Sequence, residues 1–300
     1  MGRASTMKIL LATDGSDSSA LATKLLLRLK AVATFDVHVL SVVNLAVVPG
    51  PLELDFGTDY LKQLNTQCQA SVDKTINSFT QAGVTATGEV VQGHPVAVIV
   101  DRAKELGVDL VVMGAQGHSL LARVLLGSVS DYVATHAPCS VLVVRDTPGL
   151  NTNEPLKIAA GFDDSAPSHN VLDELVRTGW NKGAKIDLVN AAVLPMDNFS
   201  EIPVQFDPQE IIVAHEEALA KAVEAAQAKL GCEVTGSVEQ CANAGYGLVA
   251  FVEREESDIV MVGDTGRSFM ARFFLGSVSR SVLHHSPSSV WIVRAAKPGK

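Results

Sequence analysis

Apolar and polar residues alternate in blocks along the first 145 residues of the chain. KILLAT (8–13) is short, apolar and unbroken, the pattern of a buried strand, and DGSDSS follows as a turn and helix cap. SALATKLLLRLKAV (19–32) is predicted helical, with Leu21, Leu25 and Leu29 four apart on one face. VHVLSVV (37–43) is a second strand, 58–82 a long helix ending at Gly83, and TGEVVQG (87–93) a third strand. PVAVIVDRAKEL (95–106) is a helix, DLVVMG (109–114) a strand, SVSDYVATH (128–136) a helix and SVLVVR (140–145) a strand. Continuous apolar strands separated by helices predict an α/β fold with a parallel sheet covered on both faces. Right-handed crossovers make it doubly wound, and ligands in such sheets sit at the carboxyl ends of the strands where the winding reverses.

The pattern then repeats. GAQGHSLLARVLLGSVS begins at Gly114 and GDTGRSFMARFFLGSVS at Gly263, 149 residues later. At the same offset MKILLATDGSDSS (7–19) meets LKIAAGFDDSAPS (156–168), DLVVMG meets DIVMVG, and HAPCSVLVVR meets HSPSSVWIVR. Between 114–145 and 263–294, 17 of 32 positions are identical. The chain therefore reads as a duplication: domain one over 1–146, a polar linker over 147–155 and domain two over 156–300.

Composition changes this picture little. Apolar residues are 47% and charged residues 19%, enough for two ordinary cores, and the net charge of −9 argues against nucleic acid or an anionic membrane as partner. Cys68, Cys139, Cys232 and Cys241 have no C-x-x-C spacing, so they are expected to be free thiols. The start MGRASTMKILLATDGS has no apolar secretory core, and VLSVVNLAVV is too short to span a bilayer. A soluble, cytoplasmic protein without membrane insertion is expected.

Candidate chemistry lies in the glycine pattern G-x2-G-x9-G-S. Gly114 and Gly117 bracket a loop after a strand, where glycine lets backbone approach a ligand. Gly127-Ser128 opens a helix whose first N–H groups, with the Ser128 and Ser130 hydroxyls, can hold phosphate oxygens; a turn with a serine cap is the plainer alternative. Asp14 is placed to meet a ribose or base, or else to cap the next helix. Arg123 and Arg272 recur between the glycines, and His118 corresponds to Arg267. His136 and His285 recur at a helix end and are read as structural. Asp163-Asp164 is either a solvated turn or a Mg²⁺ ligand beside nucleotide phosphates. GxxxxGK[ST] and GxSxG are absent, and HEEAL (215–219) carries Leu219 where a zinc protease needs its second His. No catalytic residue is assigned.

A first strand ending ATDGS, a fourth ending MGAQG, nine residues, GSVS and a final SVLVVR together resemble the universal stress protein family, as two tandem copies of its ATP-binding branch. The resemblance implies strand order 3-2-1-4-5 in each domain, ATP with Mg²⁺ as cofactor, at most slow hydrolysis, and a stress-response regulator acting through an unidentified protein partner. It also implies a homodimer with pairing of the two domains within each chain. It places adenosine against Ala12, Thr13, Asp14 and Val42, and phosphates on Gly114, Gly117, His118, Ser119, Gly127, Ser128, Val129 and Ser130. In the second half the matching positions are Gly161, Asp163, Ala191, Gly263, Gly266, Arg267, Ser268, Gly276, Ser277, Val278 and Ser279. There Thr13 becomes Phe162, Gly15 becomes Asp164, and GHP (93–95) becomes ANA (242–244), so the first site is expected to bind ATP more tightly. Alternatives left open are a scaffold or regulator for another nucleotide, such as AMP or a cyclic dinucleotide, and an ATPase or nucleotidyl-transfer enzyme.

Overall fold

The computed structural model describes residues 6–44, 55–116, 126–194, 208–265 and 275–295. The chain divides into two units, which part between Asp146 and Thr147.

In the first unit the order is β1 (Met7–Ala12), α1 (Asp17–Leu29), β2 (Phe35–Val43), α2 (Asp55–Gln81), β3 (Ala86–Gln92), α3 (Pro95–Leu106), β4 (Leu110–Gly114), α4 (Ser128–His136) and β5 (Ser140–Val144). The strands lie in the order β3-β2-β1-β4-β5, all parallel. The doubly wound sheet expected from the apolar strands is thus present. β4 and β5 are buried along their whole length, which explains their unbroken apolar runs. β3 is an edge strand and is only half-buried. Right-handed crossovers put α1 and α2 on one face of the sheet and α3 and α4 on the other.

Helix boundaries follow local chemistry. Ser16 caps α1 by accepting from the Ser19 N–H, and the helix ends three residues before the predicted limit. Its buried stripe is Ala22, Leu25, Leu26 and Leu29 rather than the predicted Leu21–Leu25–Leu29 line; Leu21 stays half-exposed. A stripe at i, i+3, i+4 and i+7 follows the 3.6-residue turn, whereas strict i+4 steps drift off the face.

The second unit repeats the plan with β6 (Leu156–Gly161), α5 (Ala166–Thr178), β7 (Ala184–Val193), α6 (Pro208–Leu230), β8 (Val234–Cys241), α7 (Ala244–Arg254), β9 (Ile259–Gly263), α8 (Ser277–His285) and β10 (Ser289–Val293). Its parallel order is β8-β7-β6-β9-β10. Trp180 and Trp291 pack 4.7 Å apart between ring centroids in its core.

The segment 147–155, expected to be a polar linker, instead packs onto the second unit. Pro148–Asn151 form a 3₁₀ turn, and Leu150 is 3% exposed. The anchor is Asp258, itself 3% exposed. It accepts from the Thr147 hydroxyl at 3.1 Å and from the Lys157 N–H at 2.9 Å, and Gly149 lies against its carboxylate too closely for any side chain there. The first unit carries half of this clasp: Asp109 accepts from the Lys8 N–H at 2.8 Å. Asp258→Asn is expected to lower the stability of the second unit by about 2 kcal/mol, because an amide cannot accept from both donors through both of its atoms. Chemical denaturation of the variant and the parent checks this.

All four cysteines are free thiols. Among the described residues no helix is long and apolar enough to cross a membrane.

Candidate functional site

Each unit opens a cavity at the carboxyl ends of its first and fourth strands. The first, of about 380 Å³, is bounded by Ala12, Thr13 and Asp14 after β1, Leu40 and Val42 of β2, Gly114 of β4, and Gly127 to Ser130 at the start of α4. Pro95 and Ile99 of α3 form an apolar wall that the sequence analysis missed. The second, of about 630 Å³, is bounded by Gly161, Phe162, Asp163, Ala191, Gly263 and Gly276 to Ser279. Ala244, Leu248 and Val262 stand there at the positions of Pro95, Ile99 and Met113, and Ala191 at that of Val42. Smaller side chains on three of these four walls leave more room despite Phe162.

The β1–α1 turn positions the acidic group. Asp14 Oδ1 accepts from the Ser16 N–H at 3.0 Å, Thr13 donates through its hydroxyl to Ser19 at 3.0 Å, and Gly15 sits at φ 79°. Ser16 rather than Asp14 caps α1, which leaves Asp14 exposed at the cavity rim. Asp163 repeats this contact with the Ser165 N–H at 3.1 Å. Asp164 occupies the left-handed position at φ 61° and turns away to His169, 2.9 Å distant. Asp163 and Asp164 therefore do not converge, and among the described residues no three His, Cys, Asp or Glu side chains are grouped as metal ligands.

The end of β2 offers backbone groups. In a parallel pair, residues of one parity turn both N–H and C=O to the same neighbour. The Leu40 carbonyl accepts from the Thr13 N–H at 2.9 Å, and the Val43 carbonyl accepts from Gly93 of the other neighbour at 3.0 Å. Val42 has the parity of Leu40, so its N–H and C=O face the space that β1 has left. In the second unit Phe162 donates to the Val189 carbonyl at 2.9 Å, and Ala191 has the equivalent place.

Across each cavity stands a helix N-terminus with no side-chain cap. Gly127 precedes α4 and Gly276 precedes α8; α1, α5 and α7 are capped by Ser16, Ser165 and Asn243, and α3, also without a side-chain cap, opens on Pro95, which has no N–H to offer. Uncapped first-turn N–H groups form an anion-binding end. The serines beside them divide in role. Ser130, 3% exposed, donates to the Gly114 carbonyl at 2.9 Å, and Ser279 donates to that of Gly263 at 2.6 Å. These hydroxyls tie strand to helix at the floor of each cavity. Ser128 and Ser277 are left as the hydroxyls at the rim.

Gly114 also differs from expectation. A Cβ there would lie 2.5 Å from the Ser18 Oγ and 2.7 Å from the Ser18 carbonyl oxygen; at Gly263 it would lie 2.5 Å from the Pro167 Cβ. These glycines admit the start of α1 and of α5, and they also line the two cavities. Gly117, His118, Ser119 and Arg123, with Gly266, Arg267, Ser268 and Arg272, lie outside the described residues. His136 and His285 turn back onto the Tyr132 and Ser281 carbonyls at 2.9 and 2.8 Å, helix-end contacts, and neither lines a cavity described above. Arg145, which lines a smaller opening with Ser18 and Gln116, is 5% exposed, and burial pulls its guanidinium down to about 10, so it stays charged at neutral pH. Ser19 and Ser168 line the two cavities and went unassigned, although the 149-residue offset superimposes them.

The sequence model described as the Universal stress protein family matches twice, over residues 6–145 and 156–294. The chain belongs to this family. A universal stress protein of Methanocaldococcus jannaschii is 33% identical over 139 residues, 46% of this chain and 81% of that protein. One from Mycobacterium tuberculosis is 26% identical over 212 residues, 69% of this chain and 65% of its own length. In structure, a universal stress protein from Archaeoglobus fulgidus aligns with TM-score 0.67 over 97% of both chains at 21% identity, a likeness of fold. As a universal stress protein the chain is a tandem of two copies, and each carries its own cavity.

Proposed function

We propose that each unit binds ATP, and that the nucleotide acts as a regulatory ligand with at most slow hydrolysis. The observation that carries this reading is the pairing of two unlike backbone features across one cavity. One is a strand end whose N–H and C=O match the donor–acceptor edge of adenine; the other is an uncapped helix N-terminus suited to phosphate. Asp14 and Asp163 lie between them, where a carboxylate accepts from ribose hydroxyls. Mg²⁺ would arrive on the phosphates and keep most of its waters, consistent with the lack of a ready ligand cluster among the described residues. Family membership supports a cytoplasmic regulator that works as a homodimer and passes its nucleotide state to a protein partner.

The two sites are not equal in this reading. The tighter apolar walls of the first hold a purine more closely than the roomier second, so the first binds ATP more strongly. Calorimetric titration of the apoprotein with Mg-ATP is expected to show two events per chain, the stronger removed by Asp14→Ala and the weaker by Asp163→Ala. Absence of ATP binding at millimolar concentration would refute the proposal; equal affinities would refute the ranking.

A further inference from the structure

A second cavity of the first unit, of about 580 Å³, lies between α2 and the end of β2. Side chains along a strand alternate between faces, so Leu40 and Val42 serve the nucleotide cavity while Ser41 and Val43 turn toward α2. Tyr60, Cys68, Ser71 and Lys74 of α2 form the opposite wall. Ser41 is 1% exposed, lines this cavity, and its hydroxyl has no hydrogen-bond partner among the described residues. An unpaired buried hydroxyl has lost its bonds to water without replacement, so its presence calls for a reason.

The second unit shows the same place filled from within. Asn190 stands at the position of Ser41: Ser41 pairs with Val90 on β3, and Asn190 with Val238 on β8. Its Nδ2 donates to the Phe162 carbonyl at 2.8 Å, and its Oδ1 meets the His215 Nδ1 at 2.5 Å. The helix register can be fixed by packing. Val72 and Ile76 of α2 press on Gly88, as Leu219 and Val223 of α6 press on Gly236. Cys68 and His215, each four residues earlier, therefore hold equivalent places. An amide and an imidazole in one unit become a short hydroxyl and a thiol in the other. The polar bridge is lost and an opening takes its place.

We propose that this opening is a second ligand site of the first unit, and that its ligand is a small planar molecule bearing an amide or azole group. Such a molecule supplies what Asn190 and His215 supply internally: a flat polar group with an acceptor for the Ser41 hydroxyl. The apolar Leu64 and Val43 border the opening, and Lys74 admits a polar substituent. Its lining meets that of the proposed nucleotide cavity at Asp14, Val42 and Asn44, while its Ser41 end faces α2 on the other side of β2.

Nicotinamide is a suitable probe. It is expected to bind the full chain weakly, with a Kd of about 1–10 mM, and to perturb the amide resonances of Ser41 and Cys68 in the presence of saturating Mg-ATP. Ser41→Ala is expected to weaken this binding at least about threefold while thermal stability is unchanged or raised, since an unsatisfied hydroxyl has been removed. The double variant S41N/C68H, which restores the bridge of the second unit, is expected to abolish binding and leave the ATP affinity intact. The proposal is overturned if nicotinamide fails to bind at about 50 mM, if the double variant binds it as well as the parent, or if ATP displaces it. Should S41N/C68H fail to fold, Ser41→Ala decides alone: lower stability with unchanged binding makes Ser41 merely structural. ATP affinity is read in parallel, so failure of this site is distinguishable from failure of the nucleotide reading.

Discussion

Gly114→Ala is expected to destabilise the first unit by about 3 kcal/mol, the upper end of the usual cost of overpacking. The new methyl would meet the Ser18 Oγ at 2.5 Å, but also the Ser18 backbone carbon at 2.6 Å. A hydroxyl rotates away; a backbone carbon inside the first turn of α1 does not. The helix must slide off β4, and with it go the Ser16 cap and the turn that holds Asp14. For a unit of this size the loss corresponds to a fall in Tm of about 10 °C. Calorimetry should show the first unit melting early while the second is unchanged, and Gly263→Ala should reverse the assignment. If Gly114 served only ligand approach, the variant would lose ATP and keep its Tm.

Ser128→Pro should give the opposite separation. Proline is favoured at the first helical position, where its missing N–H has no partner within the helix. It also demands an extended residue before it, and Gly127 already has φ −70° and ψ 148°. The fold should therefore accept the change with a stability shift within about 0.5 kcal/mol. The phosphate end of the proposed site, however, loses one N–H donor and the rim hydroxyl together. Charge-assisted bonds of this kind contribute about 1.5–3 kcal/mol each, so ATP affinity at the first site should fall at least about tenfold. Ser277→Pro, after Gly276 at φ −59° and ψ 155°, is expected to do the same at the second site. Retained ATP affinity with an intact fold would remove the helix end from the site.

The fold was largely written in the sequence because its parallel strands are buried on both faces. Runs such as LVVMG and SVLVV need no partner to be recognised, and the helices between them start at Ser, Pro or Gly. Chemistry at the candidate site was legible only in outline. Duplication marked Gly114, Ser130, Gly263 and Ser279 as special without telling which constraint acts on them. A glycine demanded by a crossing helix and one demanded by a ligand look alike in sequence. So do a serine hydroxyl that ties a strand to a helix and one held open at a rim. Distances from Gly114 to Ser18 and from Ser130 to the Gly114 carbonyl reveal the packing constraint at both positions. The cavity behind Ser41 was illegible for a different reason. It depends on which residue of α2 faces β2, and that register shifts by two residues between the halves, as the places of Cys68 and His215 show.

The residues between the two family matches also bear on how the halves can be treated as separate objects. Spacing residues such as Thr147, Pro148 and Gly149 invite the view that the joint is slack, to be cut anywhere. Asp258 makes the joint a latch instead: its carboxylate is buried under that stretch and depends on it for a hydroxyl donor. The seam of the duplication thus lies ahead of Thr147, not in the middle of the spacer. A second half taken without the spacer is a protein with an uncovered acid in its floor, and the two repeats, so alike in their strands, begin in different ways.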